Sequence, residues 1–523
     1  MIAPGQVLQL GSKKMKKEWK LAFLSALIIG LFIHLPMMLS DIPNHDGLAS
    51  MYFDQNMITS GRWFLTVACG ISSYFTLPWL IGLLGMFYLS LTAVALTELL
   101  ELHDSLTIVL ASGLLVAFPS LSSTFAYVFT LDGYMMALFL AVLAVLLVGK
   151  YRLGFVAGGI CLAFSMGIYQ AYLPFAILLC IYCIIIIMME KDGLKNKILC
   201  SLKYLYMGGI GVALYYILLH ILLKIQGKEL ASYQGISGMG GAAIQNTGLT
   251  SLLRDIYHDF VAFTLKSHVF FNNRFSLAGM LVLVLLCVST LGLLMLRRKW
   301  WKKPGFFVIM GLLAVGVPIA TNIILVVSPN VTYHLLMRYQ WVLFLILMLA
   351  FINRYLGEWQ SVGKGMSPWV EWCLVGAVAV LVFNYAVTDN IAYSNLEKRY
   401  EKTYAYCVRL LDRIEQTEGY YQGIPIAMVG VIGDEQYPAT DITGNITNGM
   451  IGMNGDWLLY TSANYEEFMK NYLGATLNFL DVDRVGEIYY TEEYAAMDSF
   501  PGENSVKVVD GILYVKTENF ERN

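Results

Sequence analysis

Long, unbroken apolar stretches dominate this chain. Runs long enough to cross a bilayer as helices fall near 21–39, 78–100, 105–121, 133–149, 153–170, 174–189, 203–224, 277–296, 306–328, 337–353 and 370–387, about eleven in all, because roughly 20 apolar residues span the hydrocarbon core. Only the break at Pro174 separates the fifth run from the sixth. Polar pattern returns in three places: segments 40–77 and 225–276, and a tail over 389–523. The segment 225–276 starts with the glycine-rich GISGMGGAAIQNTG. It continues into SLLRDIYHDFVAFTLK, where Leu253, Ile256, Phe260 and Phe263 recur at helical spacing and predict a helix lying in the membrane interface. The tail opens with a charged amphipathic helix over Asn395–Gln416. A strand follows at 424–430, and the chain closes on a hairpin turning at Asp510-Gly511. The expected fold class is mainly α: a polytopic membrane protein with about eleven transmembrane helices, plus a small α/β C-terminal domain. The domains expected are a basic N-terminus (1–20), a membrane domain (21–388) and the soluble tail (389–523).

Charge supplies the orientation. The chain is 57% hydrophobic and only 14% charged, where soluble domains carry about a quarter charged residues. Lys13, Lys14, Lys16, Lys17 and Lys20 precede the first run, and no small-residue cleavage site follows it. They mark an uncleaved signal anchor with a cytoplasmic N-terminus. Lys150 and Arg152, Lys191 through Lys203, Arg297 through Lys303, and Arg354 with Lys364 then fall on alternate connections, as the positive-inside rule requires. The 101–104 connection has no Lys or Arg and is silent. An odd number of crossings puts the tail outside the cell, so the expected location is a plasma membrane, with the lipid bilayer itself as a partner. Arg62 and Arg338 are the cations that break the rule on the outer side. The eight cysteines lie almost all in apolar runs and show no metal-ligand spacing. There is no P-loop, no GxGxxG after a strand and no DxD-like pair in a soluble nucleotide-binding domain. No cofactor, metal or nucleic-acid partner is expected. No run carries a chain of acids and histidines that would mark an ion-coupled pump.

The candidate chemistry lies on the outer side. Asp46, in SDIPNHDGLASMYFDQNMITSGRWF, either caps a helix over 47–59 or acts as an outward-facing general base. Asp41 and Asp54 are secondary candidates, and Asp54 would share a helix face with Asp46. Asp132 opens the fourth run, as a cap or as a second carboxylate of the same cavity. Tyr169 is an interfacial aromatic or a substrate contact. The Gln170 amide needs partners at that depth, from sugar hydroxyls or from a neighbouring helix. Arg62 and Arg338 anchor to headgroups or hold a lipid phosphate. Lys266, His268 and Arg274 are further phosphate candidates or solvated loop charges.

Several short motifs occur in one order along most of the chain: Asp46 followed by SGRW, then TFAYVFTLDGY, GIYQAY, RYQW and the terminal MDSFPGENSVKVVDGILYVK. Together they resemble the GtrII-type bacterial glucosyltransferases of the membrane-embedded GT-C superfamily. The family often pairs its aspartate with a second acidic residue. Here the neighbour is His45, which leaves open whether Asp41, His45 or neither shares the work. The resemblance implies a sugar donor carried on polyprenyl phosphate and a cell-surface glycan, or a lipid-linked precursor of one, as acceptor. It implies that Asp46 deprotonates an acceptor hydroxyl, that transfer inverts the anomeric centre, and that Arg338, with Arg62 or Lys266, receives the leaving phosphate. Two readings from other classes stand beside it. One is a flippase for lipid-linked glycans, which would need a polar path through the apolar runs. The other is a non-catalytic assembly subunit docking through its tail.

Overall fold

In lipid every backbone N–H and C=O must be satisfied internally, so each apolar run is expected as a helix. A computed structural model of the protein describes residues 15–517, apart from 52–53, 71–74, 191–192, 232–247, 268, 301–303, 329–330, 431–449, 451–457 and 460. His268 and nearly all of the glycine-rich stretch lie outside the described residues. Among the described residues, helices occupy all eleven apolar runs. Eight are long and apolar enough to cross a membrane, or nine if the bent pair Ser105–Ala117 and Pro119–Ala126 is one crossing. The apolar helices Gly154–Ile168 and Phe307–Thr321 are shorter. The chain is a multi-pass, mainly α membrane protein.

Small residues let these helices approach closely, which matters where lipid removes most of the hydrophobic drive for association. The first helix, Lys17–Leu39, buries Ala22, Ala26, Gly30, Ile33 and Met37 along one face. A Cβ on Gly30 would overlap the Met86 methyl of helix Pro78–Leu99, and one on Gly82 would lie 2.6 Å from Met38. Each helix thus sends a methionine into the other's glycine. Helix Gly154–Ile168 uses Gly158 and Gly159 in the same way against Met207 and Ile210 of helix Leu194–Gln226. The 45° bend between Ser105–Ala117 and Pro119–Ala126 sits at Phe118, which is extended (φ −71°, ψ 130°), as a residue before proline prefers. A core of large aromatic residues gathers beside this bend: Phe118 is tilted against Tyr339 and edge-on to Tyr385, and Phe175 stacks on Tyr339.

Helix Met366–Glu415 is 50 residues long, roughly 75 Å at 1.5 Å per residue. The amphipathic helix expected over 395–416 is its distal part, and the boundary expected at 388/389 falls inside it, between two buried residues. Its near part packs on helices Arg274–Arg297 and Ser105–Ala117. Its far part places Cys407, Leu410 and Ile414 in a second core with the tail. That tail folds a four-stranded sheet from β1 (Pro425–Val429), β2 (Asn478–Phe479), β3 (Val506–Val509) and β4 (Ile512–Lys516), in the order β2-β1-β4-β3. Strand β1 runs parallel to both neighbours. The β3–β4 hairpin turns at Asp510 (φ 48°) and Gly511 (φ 78°), the left-handed pair a two-residue I′ turn demands. Alternation separates the two faces: Ile426, Met428, Leu513 and Val515 point to Phe468 and Leu410, while Ala427 and Tyr514 meet Ile488 and Tyr494.

Candidate active site

The segment after the first helix is built from short turns rather than one helix. Asn44 caps a five-residue helix, His45–Ala49, accepting from the Gly47 N–H at 2.6 Å. The cap is therefore Asn44, and among the described residues of the range expected as one helix, 47–59, only His45–Ala49 and the 3-10 turn Ile58–Ser60 are helical. Asp46 sits in the first turn with its carboxylate 56% exposed, and His45 Nε2 stands 3.6 Å from Asp46 Oδ1. Asp54 lies beyond this helix, and so shares no helix face with Asp46. It accepts from the Asn56 N–H at 2.8 Å, an exposed Asx turn. Asp41 faces the tail. Desolvation raises its carboxyl above the ordinary aspartate range, and a hydrogen bond from Tyr472 partly offsets this.

The SGRW motif forms a turn of its own. Residues Ile58–Ser60 make a short 3-10 turn that ends at Gly61, in the left-handed region (φ 76°). Gln170 Nε2 donates to the Ser60 carbonyl and to the Tyr215 hydroxyl, both at 3.0 Å, and Tyr215 donates to the Gly61 carbonyl at 3.1 Å. The Phe64 N–H donates to the Gly167 carbonyl at 2.8 Å, and Trp63 lies so close over Gly167 that a Cβ there would clash at 2.5 Å. Of the two partners open to Gln170, the structure supplies the neighbouring backbone and helix. It is a positioning residue for the turn that carries Arg62.

Arg62 Nη1 donates to the Tyr134 hydroxyl at 3.0 Å, and its guanidinium lies 4.9 Å from the Tyr169 ring centre. Tyr134 and Tyr169 are stacked, with centroids 4.0 Å apart. Burial works against the Arg62 charge, but Tyr134, Tyr169 and Asp46 more than offset it, so its pKa stands above the ordinary arginine value. Arg62 Nε and Trp63 Nε1 are buried donors without a hydrogen-bond partner among the described residues. An exposed carboxylate, the Arg62 guanidinium and the Trp63 indole therefore share one end of the bundle, the last two each with a buried, unpartnered N–H.

The other expected residues are placed differently. Asp132, at the start of helix Leu131–Lys150, is 1% exposed. It accepts from the Gly133 N–H at 2.9 Å and is hydrogen-bonded with the Cys69 thiol. Asp132 thus lies buried, bracing the short helix Leu65–Cys69 that follows SGRW. Arg338 is 7% exposed and gives Nη1 and Nη2 to Asp259 at 2.8 and 2.7 Å. Its Nε reaches the Tyr333 carbonyl at 3.3 Å, and the Tyr333 ring covers it at 3.8 Å. The bidentate carboxylate takes the place expected for a lipid phosphate. That pair docks helix Leu249–Lys266 onto the bundle, helped by Asn322, which donates to Asp259 and to the Ile256 carbonyl. Lys266 ends this helix, exposed, and Arg274 opens the next, also exposed.

Sequence reasoning missed a buried polar cluster. His34 Nε2 donates to the Val116 carbonyl at 2.8 Å, so Nδ1 accepts from Tyr393 at 2.6 Å. Asp389 is fully buried one turn before Tyr393. The pair is one histidine and one acid on two different helices, His34 on Lys17–Leu39 and Asp389 on Met366–Glu415. The only sequence signal was the spacing Asp389–Tyr393, which becomes legible once the long helix is known to run through 389.

No curated protein and no solved structure matches the chain. A family model described as Glucosyl transferase GtrII matches residues 35–353, from the end of the first helix to the end of Val342–Arg354. It contains Asp46, SGRW, Asp132, Gln170 and Arg338, and leaves out the tail with its terminal motif. That match covers more than half of the chain, and the protein belongs to the GtrII glucosyl transferase family.

Proposed function

We propose that this glucosyltransferase is an inverting enzyme of GT-C type, working on the outer face of the bacterial plasma membrane. It takes glucose from a polyprenyl-phosphate donor and delivers it to a cell-surface polysaccharide or lipid-linked glycan. The observation that carries this reading is the exposed Asp46 carboxylate, close enough to the Arg62 guanidinium to favour its charge without an ion pair, within the family-matched region. Asp46 accepts the proton of an acceptor hydroxyl, and the freed oxygen attacks the anomeric carbon from the side opposite the phosphate. The bond from that carbon to the phosphate oxygen breaks, and polyprenyl phosphate leaves with the electron pair. Arg62 holds the departing charge, because Arg338 is committed to Asp259. Lys266 serves as an outlying cation for the approaching donor. Eleven crossings, with the bent pair and the two shorter apolar helices each spanning once, keep the N-terminus in the cytoplasm and the unit over 389–523 outside.

The test is transfer by purified, reconstituted protein from polyprenyl-phosphate glucose to an acceptor glycan. Asp46→Asn keeps the shape and removes the base, so turnover should fall by roughly 10²–10⁴-fold. Arg62→Gln should lower turnover with the donor as well. Near-normal turnover in Asp46→Asn, with melting behaviour unchanged, would sink the assignment of the base.

A further inference from the structure

A cavity of about 780 Å³ opens at the bundle end opposite Asp46, within the usual size of a small-molecule site, roughly 300–1,000 Å³. Helix Lys17–Leu39 begins there, and helices Pro78–Leu99, Leu131–Lys150, Leu173–Glu190 and Val342–Arg354 end there. The Lys and Arg distribution assigns this end to the cytoplasm. Most of the charge around the cavity is internally matched. Glu98 holds Lys16 at 2.8 Å and also Lys150, and accepts from the Trp19 indole at 2.7 Å. Arg354 is held by Glu101 at 2.9 Å and by Glu190 at 2.8 Å. Among the described residues this leaves one lining cation, Lys203, and one lining carboxylate, Glu18, without an ion pair.

A separate observation asks for a ligand. Tyr182 lines the cavity with 9% of its surface exposed, and its hydroxyl has no hydrogen-bond partner. A buried hydroxyl left unpaired costs about 1–3 kcal/mol. Elsewhere on the Lys203 helix, Ile198, Leu199 and Leu202, with Lys195, line a shallow groove of about 360 Å³. The site therefore offers a spare cation, a spare hydroxyl and a spare carboxylate, with an apolar strip on the same helix as the cation.

We propose that this cavity seats the headgroup of a zwitterionic phospholipid of the inner leaflet. Lys203 and the Tyr182 hydroxyl bind its phosphate, Glu18 receives its primary ammonium, and one acyl chain lies along Ile198–Leu202. A zwitterion neutralises both spare charges at once. An anionic lipid would leave Glu18 unmatched, and a choline headgroup has no N–H to give it. The lipid fixes the inner ends of these helices and takes no part in transfer.

Native mass spectrometry of the full chain, released from nanodiscs holding equal amounts of phosphatidylethanolamine, phosphatidylglycerol and phosphatidylcholine of distinct mass, tests this. The expected result is one retained phosphatidylethanolamine per chain, favoured about tenfold over either competitor, a difference of about 1.4 kcal/mol. Lys203→Gln and Tyr182→Phe should each lower its retention, and Glu18→Gln should narrow the preference over phosphatidylglycerol. Equal retention of the three headgroups by the unmodified protein overturns the proposal without reference to any variant. So does a folded Lys203→Gln protein that retains the lipid undiminished. Soluble O-phosphoethanolamine bound in place of lipid would assign the cavity to a water-soluble phosphate ester and overturn the lipid assignment.

Discussion

A guanidinium presents the same two N–H edges to a carboxylate as to a phosphate, so Arg338 in RYQW reads equally well as either. Asp259 decides between them, and it lies 79 residues away on an amphipathic helix. That pairing is invisible to local pattern, whereas Asp46 was legible because a polar segment after an apolar run has to face water. Breaking a mostly buried pair strands one charge. Arg338→Met and Asp259→Leu should each destabilise the protein by about 3 kcal/mol, and the double variant should cost less than their sum. Melting temperatures of the four proteins in one detergent measure this, and strict additivity would show that the pair does not hold the helix Leu249–Lys266. Asp41 makes a prediction of opposite character. Its carboxyl is raised in the folded state by desolvation, so the folded protein binds that proton more tightly than the unfolded chain does. The stability it contributes is full below the unfolded value and is lost as pH rises through the folded one. Burial of Asp41 against the tail should therefore weaken as pH rises above the ordinary aspartate value, about 4, opposed in part by the Tyr472 hydrogen bond, which favours the ionised carboxylate; hydrogen exchange of the helix Ser462–Leu473 reads this. Asp41→Asn should flatten that profile, and an unchanged profile in the variant would assign the titration elsewhere.

At the scale of the element, positions were legible and breaks were not. Lipid forces every apolar run to be helical, so each expected run contains a helix. Where a helix stops is a different matter. The 3-10 stretch Leu335–Trp341 sits at the start of an apolar run that does not mark it, and Met366–Glu415 stays unbroken across the change from apolar to charged residues. Proline gave a partial signal: Pro119 opens a helix after the bend, whereas Pro36 sits inside one. The strand pairing of the tail was half legible, since Asp510-Gly511 dictates its own turn and β1 is a short apolar run, but the parallel β1–β4 pairing depends on distant chain. What holds neighbouring helices in register is the exchange of methionines into Gly30 and Gly82. Gly30→Val should overpack that contact and cost about 1–3 kcal/mol. Met86→Ala in the same chain should restore part of it by making room. A Gly30→Val protein that melts like its parent would show that the two helices slide freely.

The whole molecule joins two cores through one helix and one short loop. Beyond the long helix, the tail grips the segment that carries Asp46. Leu48 is buried in the tail's own core, Asn464 Nδ2 donates to the His45 carbonyl at 3.0 Å, and Tyr472 reaches Asp41. The family match ends at residue 353, so the residues that hold this loop from outside lie in a part of the chain the family model does not cover. A base on a five-residue helix has little stiffness of its own, because so short a helix is marginal without tertiary support. On the proposed mechanism the tail then sets where Asp46 points. Asn464→Ala removes one hydrogen bond, about 0.5–1.5 kcal/mol, and should lower kcat by up to about tenfold while KM for the polyprenyl-phosphate donor stays near its original value. Leu48→Ala empties a fully buried site and should lower kcat further, at a cost of about 2–5 kcal/mol to tail docking. Neither substitution touches the packing of the membrane helices, so bundle melting should hold. Unchanged kcat in both variants would mean that the loop is fixed from the membrane side alone, through the SGRW turn and Gln170.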